Sequence, residues 1–362
     1  MQQSRRVLDI RPDRAYARHS EGDFVRRADG SILFVYTRFF EKNDDEAPSA
    51  LVAIESADEG ETWSQPREVV SAAPFGVKNV MSVSLLRLQS GEIGLFYIVK
   101  EAWYTRIMLA RSDDEGRTFG RHAECTLPDR RGWFVLNNSR VERLHTGRIL
   151  VPLAYHRTGL DERTGKFFFD PCACACMLYS DDDGATWSEA PDVIHPPFSG
   201  TRSGLQEPGV LELRDGALWA YFRTDKMYQY EAFSRDGGLH WSTPQASRFT
   251  SPLSPMKLLR QPDTGRLFAF WNPVPNHMEK SQHCEGVWTG GRTPLVYATS
   301  DDDGVTWSPM RPIEDDPRHG YCYPAAFFTR DGAMLVAYCA GGVEDGSCLA
   351  RLTIQKIPLE KE

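Results

Sequence analysis

Ser300-Asp301-Asp302-Asp303-Gly304-Val305-Thr306-Trp307 is one of five copies of a single pattern, Ser-x-Asp-x-Gly-x-Thr-Trp. The others are Ser56 to Trp63, Ser112 to Phe119, Ser180 to Trp187, and a looser copy from Ser234 to Trp241 that carries His240 in place of Thr. The copies recur at intervals of 54 to 68 residues, a period at which self-similarity marks a repeat architecture. Each residue of the pattern has a physical task in a tight turn. Ser and Asp fold their side chains back onto backbone N–H groups, Gly takes a positive φ, and the aromatic ring closes the gap beside the turn. The carboxylates of these boxes are therefore expected to be structural rather than catalytic.

A second pattern precedes each box: an extended segment, a turn with Gly, then a strongly apolar strand. It reads Glu21–Val25, Asp29-Gly30 and Ile32–Tyr36 in the first unit and Ser82–Leu86, Ser90-Gly91 and Ile93–Tyr97 in the second. The third starts at Asn138, the fourth at Glu207, the fifth near Ser254 or Pro255, and the sixth at Tyr323. Two strands here and two around each box make four per unit, so the expectation is an all-β, six-bladed propeller of four-stranded antiparallel blades over residues 1–362 as one domain. The sixth unit has no box. Arg5–Ile10 is expected to supply its fourth strand, closing the ring and removing a free sheet edge.

A net charge of −8 argues against nucleic acid as a partner, and no apolar stretch is long enough to span a membrane. The N-terminal Met1–Leu8 has no apolar core, so the expectation is a reduced, cytoplasmic chain without disulfides. Cys172, Cys174 and Cys176 form a C-x-C-x-C run with no second cluster at ligand spacing. They are expected to be small buried residues on one face of a strand, and no metal or other cofactor is expected.

Counting back eight residues from the position before each inner-turn Gly lands on Glu21, Ser82, Asn138, Glu207 and Tyr323. A core position would be Val or Leu. Polar groups at one structural point in nearly every blade read instead as a ring converging on a ligand. The same mouth should receive Arg223, Arg292 and the acidic loop Asp44-Asp45-Glu46. It should also receive Asn79, Asn137, Arg140, His156, Gln206, Lys257 and Tyr321. The loops 157–171 and 273–291 are expected to wall the pocket, with Trp271, His277 and Trp288 available to stack on a sugar.

Together these features resemble the sialidase superfamily, the Asp-box (BNR) group, across roughly residues 5 to 355. The resemblance implies a Glu at the start of the fourth inner strand that polarises a Tyr at the start of the sixth. It places one Arg about sixteen residues after that Glu and another some thirty before the Tyr. Here Glu207 to Arg223 is sixteen, and Arg292 to Tyr323 is thirty-one, or twenty-nine to Tyr321. The resemblance further implies Asp45 as general acid, and a first anion-gripping Arg in an Arg-Ile-Pro segment at the first inner strand. This chain has Arg18-His19-Ser20-Glu21-Gly22-Asp23 there, with Glu21 nearest the expected arginine position.

The implied activity is an exo-acting, retaining glycoside hydrolase acting on a glycan or small glycoside. Its catalytic residues are Asp45, Glu207 and Tyr323. Arg18, Glu21, Asp23, Asn79, Asn138, Gln206, Arg223, Arg292 and Tyr321 would bind substrate. A neutral Tyr suits a sialoside, because a carboxylate nucleophile would be repelled by the substrate's own carboxylate. The carboxylates Glu21 and Asp23 keep two alternatives open: a glycosidase or lyase for another sugar using Glu21, Asp23 and Glu207, and a propeller that binds carbohydrate without catalysis.

Overall fold

The apolar runs after each inner turn are buried on both faces, as a central strand demands. In Ile32–Phe40, alternate side chains point to opposite sides of the sheet. Leu33 and Val35 enter the core shared with the second unit. Ile32, Phe34 and Tyr36 enter the core shared with the sixth. Each sheet is thus glued to two neighbours through one strand, and the ring follows from that sharing.

The computed structural model describes residues 4–275 and 281–359. It is a six-bladed propeller of antiparallel blades. Blade 1 comprises Tyr16–Arg26, Ile32–Phe40, Ser49–Ser56 and Arg67–Ser71, from the axis outwards. Blades 2, 4 and 5 repeat this order, with inner strands Asn79–Arg87, Gln206–Glu212 and Lys257–Arg260. Blade 6 runs Cys322–Phe328, Ala333–Cys339 and Leu352–Pro358, and Arg5–Ile10 adds the outer strand, pairing Ile10 with Leu352 and Arg5 with Lys356.

Blade 3 departs from the regular pattern. Its inner strand is split into Trp133–Val135 and Glu142–Arg143, both paired to Ile149–His156. The segment between them is drawn off the ladder because Ser84 Oγ of blade 2 accepts the N–H groups of Arg140 at 2.8 Å and Val141 at 3.5 Å. The expected run of three buried cysteines also fails in part. Only Cys176 is buried, and Cys172 lies before the strand Cys174–Ser180, where the chain is still in the rim loop.

The boxes act as staples between blades. In the first, Ser56 Oγ accepts from Gly60 N at 2.8 Å, and Asp58 accepts from the N–H of Thr62 at 2.9 Å and its hydroxyl at 2.6 Å. Asp302 repeats this with Thr306, and in the loose copy His240 Nδ1 takes the hydroxyl's place on Asp236 at 2.7 Å. The box glycine is required twice over. Gly60 has φ +85, and a Cβ there would lie 2.6 Å from Leu335 of the preceding blade. Gly116 meets Leu33 and Gly304 meets Trp219 in the same way. In four of the boxes the residue before the Gly grips the previous blade's inner turn, as when Glu115 accepts from Ala28 N at 2.8 Å and Asp303 from Arg214 N at 2.7 Å.

Candidate active site

Four inner strands begin with the same distortion. The register of Ser20 to Asp23, Met81 to Ser84, Gln206 to Gly209 and Cys322 to Ala325 each slips by one residue against the second strand. The bulged residues Glu21, Ser82, Glu207 and Tyr323 take positive φ of 57, 59, 46 and 56. Left-handed backbone at a non-glycine residue costs about 1 kcal/mol or more, and a bulge re-aims a side chain. In blade 3 the left-handed residue is Ser139, with φ 55, rather than Asn138, because that blade has one residue fewer before its turn.

Glu207 and Tyr323 meet although 116 residues separate them. Tyr323 Oη donates to Glu207 Oε1 at 3.0 Å. Arg223 Nη1 donates to the same oxygen at 2.6 Å and stands 3.4 Å from the Tyr323 hydroxyl. Arg223 reaches it because it lies opposite Gln206 in the sheet register. Burial first, and the Glu207 charge next, raise the Tyr323 pKa well above the ordinary phenol range, against the pull of Arg223 and Arg292. Arg292 stacks over Trp288 at 4.9 Å and over Tyr323 at 5.6 Å. Its Nη1 donates to Cys322 Sγ at 3.1 Å and its Nη2 to the Leu253 carbonyl at 3.2 Å.

Arg18 is occupied by two carboxylates. It donates to Glu21 Oε1 and Asp45 Oδ1, both at 2.6 Å, and to Ser20 Oγ at 2.8 Å. Glu21 is buried, and its other oxygen accepts from Ser82 Oγ at 2.9 Å. Burial and the nearby Asp45 charge push Glu21 up to about 7, against Arg18 and Ser82. The Asp45 side chain is instead 57% exposed in the pocket. The crowded site opposes its charge, but Arg18 and Lys100 outweigh that and hold it below the usual carboxylate range.

A pocket of about 550 Å³ opens over this floor. Asp45, Gln206, Glu207, Arg223, Arg292 and Tyr323 line it, together with His156 and Trp288. Other expected site residues sit behind the wall. Asn79 Nδ2 holds the carbonyls of Asp45 at 3.1 Å and Ala47 at 2.7 Å, so it shapes the loop that carries Asp45. Asn138 Nδ2 spans the channel to Gly22 O at 3.0 Å and Tyr323 O at 3.3 Å. Asp23 accepts from the backbone of Phe24 and Leu85 below the floor. Arg140 bonds Tyr221 and Lys257 bonds the Ser139 carbonyl, both buried. Tyr321 lies in the core of blades 5 and 6 with its ring against Tyr338, so the spacing of twenty-nine to Tyr321 leads away from the pocket. Trp271 is likewise packed in the core of blades 4 and 5, and His277 lies outside the described residues.

The model of the BNR repeat-like domain matches residues 76–336. The chain belongs to that family. Sialidase-3 of Rattus norvegicus is 24% identical over 197 residues, which are 49% of this chain and 45% of that protein. The chain thus spans about half the length of the curated relatives it matches. A protein of unknown function from Dyadobacter fermentans is structurally similar with a TM-score of 0.71 at 18% identity, over 99% of this chain and 100% of that one. A Hadza microbial sialidase gives the same score and identity over 94% of this chain and 66% of its own. The BNR repeat-like protein is therefore a distant homologue of sialidases with a sialidase-like six-bladed propeller.

Lys100, Trp133 and Phe134 also line this pocket, at positions the sequence did not single out. Phe167 and Phe169 line it from the loop 157–171 that was expected to wall it. The signal was present for one group: Phe167-Phe168-Phe169 is a run of three aromatic residues inside a long rim loop, where a core strand is excluded.

Proposed function

We propose that this protein is a retaining, exo-acting glycoside hydrolase with a sialidase-like site. The observation that carries this reading is the Tyr323–Glu207–Arg223 contact at the floor of an open pocket. Glu207 takes the proton as Tyr323 Oη forms a bond to the anomeric carbon. The bond from that carbon to the leaving oxygen breaks, and Asp45 supplies the proton that makes it an alcohol. Water then attacks the same carbon, Asp45 takes its proton, and Tyr323 leaves with the proton held by Glu207, so configuration is retained. Arg223 and Arg292 provide two guanidinium groups for an acidic sugar.

One observation favours a second reading, in which the sugar is neutral. Arg18 is committed to Glu21 and Asp45, so a substrate carboxylate would have to compete with both. A panel of aryl glycosides including a sialoside separates the two. Turnover of the sialoside, reduced at least about a thousandfold by Tyr323→Phe, supports the first reading. Turnover of other sugars alone supports the second, and no turnover with glycan binding retained would refute hydrolysis altogether.

A further inference from the structure

Beside the polar pocket lies a second hollow of about 450 Å³, lined by Ala102, Trp103, Gly159, Leu160 and Phe167. Ala102 and Phe167 line both hollows, so the two adjoin. Its wall is a two-stranded ribbon, Thr158–Asp161 with Lys166–Phe169, in which Leu160 lies opposite Phe167 and Thr158 opposite Phe169. These four residues share one face of the ribbon. A lone hairpin is marginal in water, but this one is pinned in place. Thr158 Oγ1 donates to the Trp103 carbonyl at 3.2 Å, and Phe169 stacks on His156 at 4.9 Å. Leu160, Trp103 and Phe167 nevertheless remain 69%, 46% and 44% exposed. Large apolar side chains gathered on one rim, rather than scattered, mark a binding surface.

The position of this rim defines its occupant. Lys100 Nζ donates to the Asp45 carbonyl at 2.6 Å, and the chain runs directly from Lys100 to Ala102 and Trp103. On the reading proposed above, a glycosidic oxygen protonated by Asp45 departs towards this rim. We infer that the rim is an aglycone subsite, and that the preferred substrates are glycosides whose leaving group is an alkyl chain laid along Trp103, Leu160 and Phe167.

The test compares methyl and octyl sialosides, and methyl and octyl glucosides, below the concentration at which the octyl compounds form micelles. For the sugar that is turned over, kcat/KM for the octyl glycoside should exceed that for the methyl one about tenfold or more, the gain from burying as few as two methylenes. The double variant Trp103→Ser, Leu160→Ser should bring that ratio close to one. A ratio near one in the unaltered protein overturns the subsite while leaving hydrolysis in place. If neither sugar is turned over, calorimetric binding of the same pairs decides the subsite. Tighter octyl binding that the double variant loses supports an apolar site, and equal binding refutes it. A dimer in sedimentation that the double variant converts to monomer also refutes it, since the rim would then be an interface between copies.

Discussion

Replacing Glu21 with Gln removes a buried negative charge while keeping an acceptor for Arg18 and Ser82. Glu21 sits at about 7 against an ordinary value of 4.5, with burial as the main cause. Below the lower value the carboxyl is protonated in both the folded and unfolded chain, and the site contributes its full stability. Between the two values the unfolded chain loses its proton first, so stability falls as pH rises. Above the folded value the whole penalty stands, about 3 kcal/mol for a rise of this size. The variant should therefore gain about 3 kcal/mol over the unaltered protein between pH 4.5 and about pH 8. Urea titrations of both proteins across that range measure it. Glu142 is also raised to about 7, so the unaltered protein's own slope is composite and only the difference between the proteins isolates Glu21. A difference that stays flat with pH would refute the reasoning, because Glu21 would then ionise alike in both states.

Other contacts lead to further outcomes. Arg18 and Lys100 depress Asp45, so an acid-catalysed step needing protonated Asp45 should favour acidic pH, and its rate should fall as pH rises. Arg18→Met in a Glu21→Gln background should move that basic limb to higher pH relative to Glu21→Gln alone, as read from a pH–rate profile. Gly60→Ala should cost about 2–3 kcal/mol in thermal or urea unfolding, from strain at φ +85 and the clash with Leu335. Gly76→Ala, at φ +69 with open space around it, should cost only about 1 kcal/mol, so equal losses would show that the contact between blades is immaterial.

The limits of the sequence can be read from individual residues. Glu207 and Tyr323 were recoverable by counting from the inner turns, because a regular ladder converts residue number into height along the axis. The same count missed in blade 3, where the left-handed Ser139 stands one residue closer to its turn than in the other blades. The resemblance offered Tyr321 as an alternative to Tyr323, and only the bulge at Cys322 to Ala325 decides which ring faces the pocket.

The sequence by itself determined the turns and the repeat. The box bonds link residues two to four apart, so the chain carries both partners in one short motif. Which charges neutralise each other was decided by the tertiary structure alone. Arg18 meets Asp45 across 27 residues and Arg6 meets Glu314 across 308. Glu207 of blade 4 and Tyr323 of blade 6 likewise come within 3.0 Å only because the six sheets close around one axis.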